Sequence, residues 1–311
     1  MNVKRLGAAV AGAAGVVAGA RLLRGAAGEL EPALDASERT YQWRGMDVAC
    51  ASAGDEDDPT LVCLHGINAA GSSGEFREVV DALAETHHVV VPDLPGFGRS
   101  DRPDLRYSAA LYEDFVADFL AEYDSPAVLA SSLSAAYTVN AASDRRVTLD
   151  SLTLVCPTTV AGPDPPKAWL RELLRAPVVG TALFGALVSK PSIRYFNADH
   201  AYADPDAVDP AWTDYQWRTT HQPNARFAVA SFVAGYCNSS LDLGAALADV
   251  DAPVTVVWGR DATLPPLSTG RDLAETADAR LVVFDDAKLL PHVEHPEAFV
   301  DAVREAIASG A

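Results

Sequence analysis

Residues 127–136, Ala-Val-Leu-Ala-Ser-Ser-Leu-Ser-Ala-Ala, constrain the fold of this chain more than any other stretch. Four apolar residues predict a buried strand, and the small apolar residues at the end predict a helix packed closely behind it. Ser132 stands between them, where the chain turns sharply. Ala130 and Ser134 flank it and are both small, as a close approach of strand and helix requires. The pattern therefore predicts a turn that presents a serine hydroxyl, a group used in nucleophilic catalysis.

Apolar runs that read as strands recur on both sides of this turn, separated by helix-like segments near 75–85 and 109–122. A hairpin is predicted ahead of them, over residues 41–53. Alternating strands and helices indicate an α/β fold with a mostly parallel, doubly wound sheet covered on both faces. The predicted strands of this sheet are 60–64, 88–92, 127–131, 152–156 and 253–259.

Three motifs follow one another in a recognisable order: Leu-His-Gly at 64–66, Pro-Asp-Leu-Pro-Gly-Phe-Gly-Arg-Ser-Asp-Arg-Pro at 92–103, and the serine turn. Their order and spacing resemble the α/β-hydrolase family, particularly its cap-containing esterase, haloperoxidase and acyltransferase group. The likeness covers residues 60–142 and resumes at 253–259 and 291–299. It implies an α/β-hydrolase fold with Ser132 as the nucleophile. It also implies an oxyanion hole made by the backbone amides of Ile67 and Leu133.

The usual partners of the serine depart from the family pattern. Leu289 stands where the family has its catalytic histidine, and His292 matches the second histidine of that loop. Ala262 stands at the position of the acid, with Asp261 one residue earlier. The sequence thus indicates a degenerate triad in which Ser132, Asp261 and His292 are the candidate catalytic residues. His292 would reach the serine only if its loop were rebuilt.

The resemblance also assigns the domains. Residues 41–156 and 250–311 are expected to form the hydrolase core, and residues 157–249 a helical cap inserted into it, after an Ala/Gly-rich segment and linker at 1–40. A cap of this kind shapes the substrate pocket. Each aromatic residue within it could instead pack the cap onto the sheet. The predicted substrate-binding residues are His65, Asn68, Trp212, Trp217 and His221.

Three functions are compatible with these motifs. The first is hydrolysis of small esters or similar acyl compounds by Ser132, with a small molecule as substrate. The second is a non-hydrolytic reaction in the capped pocket, without an acyl-enzyme. The third is a catalytically inactive protein that binds a small apolar ligand or serves as a scaffold at a membrane. The departures at the triad keep all three open, because loss of a triad member typically costs several orders of magnitude in rate.

The charge balance limits the classes of molecule that the protein could bind. Acidic residues number 43 against 24 basic ones, and the formal net charge is −19. Nucleic-acid binding requires a basic face, so no nucleic-acid partner is expected. A surface rich in carboxylates and poor in lysine stays hydrated in strong salt, which indicates a halophilic protein rather than an ordinary acidic enzyme. No metal, nucleotide or flavin motif is present, so no cofactor and no metal site are expected.

The N-terminus carries an uncharged, Ala/Gly-rich run at residues 6–20, with basic residues on both sides. Fifteen residues are fewer than the roughly 20 that span a bilayer. The run could be a signal-peptide core, a marginal membrane anchor or a loose surface helix. Of these alternatives we favour a cytoplasmic protein with weak membrane association through residues 6–20.

Overall fold

The computed structural model describes residues 15–16 and 18–308. At its centre lies an eight-stranded sheet in the order β1-β2-β4-β3-β5-β6-β7-β8. The first two strands form a hairpin that pairs antiparallel with β4, and every other neighbouring pair is parallel. The strands are β1 Ser37–Trp43, β2 Met46–Ala53, β3 Thr60–Leu64, β4 His88–Pro92, β5 Ala127–Ser131, β6 Leu152–Val155, β7 Val254–Gly259 and β8 Arg280–Phe284.

Helices cover both faces of the sheet. Helix α1 comprises residues 18–27. The later helices are α2 Val80–Leu83, α3 Ala109–Leu120, α4 Ser132–Ser143, α5 Ala168–Arg175, α6 Val179–Leu187, α7 Lys190–Phe196, α8 Pro210–Thr220, α9 Arg226–Val233, α10 Leu243–Ala248, α11 Leu267–Ala277, α12 Pro291–Glu294 and α13 Pro296–Ala308. The predicted α/β fold with a mostly parallel sheet is confirmed.

The central strands are buried along their whole length, which explains why they read as continuous apolar runs rather than alternating ones. One face of the sheet packs against α3 and α4, and the other against α2 and α13. Ser108 is the N-cap of helix α3, because its hydroxyl accepts the N–H of Leu111. The strand that leads to Ser132 therefore lies in the buried core, between two layers of helices.

One predicted helix is wrong. The helix predicted at 75–85 is a short 3₁₀ turn, Ser73–Phe76, followed by the single turn α2, and the Glu75 and Phe76 side chains of the 3₁₀ turn are buried. Helix α10, which lies within residues 157–249, packs against α4 and α11. Its Leu243, Ala246 and Leu247 are buried.

The N-terminal prediction falls largely on residues 6–14 and 17, which lie outside the described residues. Residues 15–16 and 18–20 of this run are helical. Arg218 of helix α8 and Gln222, two residues after that helix, donate hydrogen bonds to the carbonyl oxygens of Ala27 and Gly28 at the end of α1. Among the described residues, no helix is both long enough and apolar enough to cross a membrane.

Candidate active site

Ser132 is the first residue of α4 and follows β5 without an intervening loop. Its φ is +55°, a left-handed value that is unfavourable for any residue except glycine. Such strain persists only where the surrounding structure imposes it. Here the neighbouring Ser134 hydroxyl donates a 2.6 Å hydrogen bond to the carbonyl of His65, which ties the first turn of α4 to the loop after β3. A sharp strand-to-helix turn therefore presents Ser132, as its sequence predicts.

The loop after β3 comes very close to this turn. A Cβ atom at Gly66 would lie only 3.2 Å from Ser132 Cβ, 3.4 Å from Ser131 Oγ and 3.5 Å from Glu75 Oε2. A side chain at position 66 would push the loop away from the turn. Glycine is thus required here by close approach rather than by an unusual backbone angle.

Two backbone N–H groups are free beside the serine. Ile67 directly follows Gly66, and Leu133 lies in the first turn of α4, whose N–H groups have no partner within the helix. Neither N–H donates a hydrogen bond to any acceptor among the described residues. One unpaired donor thus lies in the loop that approaches Ser132, and the other directly follows Ser132 in the chain.

The His65 side chain, predicted to bind substrate, has both ring nitrogens hydrogen-bonded to the backbone. It is fully buried, and the N–H of Leu94 donates to its Nε2 at 3.0 Å. The proton of the ring must therefore be on Nδ1, which donates to the Gly66 carbonyl at 2.9 Å. Both ring nitrogens are used to shape the loop, so His65 is available neither as a base nor as a ligand.

The predicted combination of Ser132, Asp261 and His292 is not assembled in this structure. His292 is fully buried at the start of α12 and packs between the rings of Phe76 and Phe299, with both centroids at 5.4 Å. Neither of its ring nitrogens is hydrogen-bonded, and the nearest carboxylate oxygen is Oε1 of Glu75, at 3.7 Å.

The burial of this ring has an electrostatic consequence. Burial, aided by the positive charge of Arg77, lowers the pKa of His292 from 6.5 to about 3. A histidine with such a pKa is neutral at pH 7 and a poor proton acceptor. The physical reason for the missing contact is the direction of the ring, which points into the apolar layer between the 3₁₀ turn and α13.

Asp261 is exposed and bonds only through its backbone N–H, to the carbonyl of Ala287. Ala262, at the usual position of the acid, is buried. All seven histidines lie within the described residues, and none is hydrogen-bonded to Ser132. The turn and the two donors are present, whereas the base and the acid are not.

Comparison with known proteins agrees with this geometry. The model of the alpha/beta hydrolase family matches residues 61–302. The chain belongs to the alpha/beta hydrolase family. It is 24% identical over 263 residues to a 2-hydroxy-6-oxo-6-phenylhexa-2,4-dienoate hydrolase of Burkholderia cepacia, covering 80% of this chain and 88% of that protein.

Two further similarities extend this result. A 2-hydroxy-6-oxononadienedioate/2-hydroxy-6-oxononatrienedioate hydrolase of Pseudomonas putida is 28% identical over 259 residues, 78% of this chain and 86% of the relative. The crystal structure of a 2-hydroxy-6-oxo-6-phenylhexa-2,4-dienoate hydrolase from a Rhodococcus species aligns with a TM-score of 0.73 at 20% identity. That alignment covers 88% of this chain and 99% of the Rhodococcus one, and it supports the hydrolase fold.

The residues predicted to bind substrate are dispersed over the structure. Trp212 packs the insertion onto the core, since its ring covers the guanidinium of Arg77 at 4.1 Å. Trp217 stacks on His221 at 4.3 Å, and His221 lines a cavity of about 290 Å³ between α1 and the insertion. That cavity does not include Ser132. Asn68 is exposed, and its Oδ1 accepts the N–H of Ala70, so it shapes the loop.

The sequence analysis missed Glu75. Its side chain is buried, its Oε2 accepts the N–H of Gly66 at 3.0 Å, and the Ser131 hydroxyl lies beside it. The one signal in the sequence is an acidic residue that follows the small residues at 69–74 and directly precedes Phe76. No group of three or more His, Cys, Asp or Glu side chains within residues 15–16 and 18–308 is arranged to hold a metal ion.

Proposed function

We propose that this protein hydrolyses small esters or similar acyl compounds, with Ser132 as the nucleophile. The observation that supports this proposal is the strained turn itself: φ of +55° at Ser132, with the free N–H groups of Ile67 and Leu133 beside it. Strain of this kind costs about 1–3 kcal/mol and is typical of functional sites.

The reaction proceeds in two steps. The Ser132 oxygen forms a bond to the carbonyl carbon, and the carbonyl oxygen takes up the negative charge and accepts hydrogen bonds from the two amides. The bond to the leaving group then breaks, and the leaving group departs with the serine proton, carried by solvent. Water hydrolyses the acyl-enzyme in the same way. Because no histidine assists the proton transfer, we expect slow turnover, sustained by the oxyanion hole and by binding.

A fluorophosphonate probe tests this function without knowledge of the substrate. In molar salt it should label the wild-type protein once, and Ser132→Ala should remove the label. Ser143→Ala is the matched control, because Ser143 lies on the same helix with its hydroxyl bonded to the carbonyl of Asn140. That variant should be labelled at the wild-type rate. Absence of labelling on the folded wild-type protein would overturn the proposal.

The substrate class follows from a panel of compounds. It should contain short acyl esters and 2-hydroxy-6-oxo-dienoates, because two similar proteins are named as hydrolases of such dienoates. Turnover that disappears in Ser132→Ala identifies the class.

A second function is favoured by one observation, the lack of any histidine hydrogen-bonded to Ser132. A protein with this fold and no base could bind a small apolar ligand without converting it. Its signature would be an increase in melting temperature with a panel compound, together with no labelling and no turnover.

A further inference from the structure

Glu75 and His292 form a buried contact between two distant parts of the chain. Glu75 lies in the 3₁₀ turn after the oxyanion loop, which we define as residues 65–67, and His292 lies in α12. Oε2 of Glu75 is satisfied by the N–H of Gly66. Its other oxygen, Oε1, has no hydrogen-bond partner, and the same is true of both nitrogens of His292.

Orphaned polar atoms in a protein interior are rare, because each has lost its hydrogen bonds to water without a replacement. Here Oε1 and Nε2 lie 3.7 Å apart, with the rings of Phe76 and Phe299 around the imidazole. A small shift that brings the two atoms within hydrogen-bond distance would let one proton between them satisfy both.

The carboxylate also touches the catalytic turn. A Cβ atom added to Gly66 would lie 3.5 Å from Oε2 and 3.2 Å from Ser132 Cβ. Gly66 therefore lies between the carboxylate and the serine. The Ser131 hydroxyl lies beside this carboxylate and stabilises its charged form. Glu75 thus contacts both segments of the site, namely the oxyanion loop and the end of β5.

We propose that Glu75 is a positioning residue that fixes the oxyanion loop against Ser132, and that His292 is its buried partner, with one proton held between Glu75 Oε1 and His292 Nε2. His292 then acts on the site through Glu75 and not as the base for Ser132. This inference deepens the proposed function and rests on it where catalysis is concerned. The anchoring of the loop can be measured without any activity.

The charges around the pair are few. Arg77 is the cation on the Glu75 side, and His65 is the neighbouring imidazole on the β3 side. Burial raises the pKa of Glu75, while His65, Ser131 and the Gly66 N–H act in the opposite direction. Burial lowers the pKa of His292. Both shifts favour neutral side chains, which suits a pair that shares one proton between Oε1 and Nε2 while Nδ1 of the imidazole keeps its own.

Three variants of the full chain separate positioning from packing. Glu75→Gln keeps an oxygen for the N–H of Gly66 and offers an amide to His292. Glu75→Met keeps the volume but accepts no comparable hydrogen bond. Glu78→Gln is the matched control, since Glu78 is half-exposed and pairs only with Arg77. The first readout is amide hydrogen exchange of the peptide that contains the oxyanion loop, and the second is the rate of fluorophosphonate labelling.

We expect exchange at the loop within about threefold of wild type for Glu75→Gln and Glu78→Gln, and at least about tenfold faster for Glu75→Met. The labelling rate should stay near the wild-type value in Glu75→Gln and Glu78→Gln, and it should be lower in Glu75→Met. Equal behaviour of the Gln and Met variants would show that Glu75 only fills space, and would overturn the inference. If wild-type Ser132 is never labelled, the proposed function fails, while hydrogen exchange still decides the role of Glu75.

Discussion

The buried imidazole of His292 gives the protein a specific sensitivity to acid. The unfolded chain takes up a proton on this residue near pH 6.5, whereas the folded chain resists protonation until its pKa of about 3. A group whose pKa is lower in the folded state contributes stability above its unfolded pKa and loses it as the pH falls. The loss therefore begins near pH 6.5 and continues towards pH 3.

The magnitude follows from the two pKa values. At pH 5 the unfolded state gains about 2 kcal/mol from protonation of His292 that the folded state does not gain, and at pH 7.5 this gain is negligible. Because His292 is fully buried, no correction for solvent screening applies. In His292→Gln the titratable group is absent. Between pH 7.5 and pH 5, the wild type should lose about 2 kcal/mol more free energy of unfolding than this variant.

The measurement is urea unfolding of both proteins at the two pH values and in the same concentrated salt. Comparison with the variant cancels the contributions of the other titrating groups. Phe299→Leu is the packing control, because Phe299 contacts the same imidazole and does not titrate. It should be less stable than wild type by a similar amount at both pH values. Parallel losses in wild type and His292→Gln would show that His292 titrates normally, which would refute the buried, neutral state assigned to it.

Three further predictions address the site, the fold and the surface. Gly66→Ala should slow fluorophosphonate labelling at least about tenfold, because its Cβ would lie 3.2 Å from Ser132 Cβ and displace the oxyanion loop; an unchanged rate would contradict the close approach. Ser108→Ala should lower the free energy of urea unfolding by about 1 kcal/mol through loss of the cap of α3. Raising the salt concentration from about 0.1 M to about 1 M shortens the screening length from about 10 Å to about 3 Å. Because repulsion within a chain of net charge −19 then weakens, the melting temperature should rise. A fall in the melting temperature would argue against salt adaptation.

The sheet and the serine turn could be predicted because their determinants are local. Continuous apolar runs mark strands that are buried on both faces, and small residues on either side of Ser132 mark a close approach of strand and helix. The oxyanion loop could be located for the same reason, since it directly follows a strand. Local patterns therefore place the elements and one side of the site.

The remainder of the site depends on contacts between distant segments. Nothing in the sequence near His292 shows that its ring turns towards Phe76 and Phe299, away from Ser132. Likewise, the acidic character of Glu75 suggests exposure, and only the fold shows that its side chain is buried and that Oε2 accepts the N–H of Gly66. The neighbours of helix α10 could not be predicted for the same reason, because a short helix does not reveal what it packs against.

Two side chains hold the oxyanion loop from opposite sides. Ser134, one of the two small residues that flank Ser132, donates its hydroxyl to the His65 carbonyl. Glu75 accepts the N–H of Gly66 from the other side. In the proposed function, these two bonds keep the N–H of Ile67 close to the strained turn at Ser132, where no histidine is hydrogen-bonded to the serine.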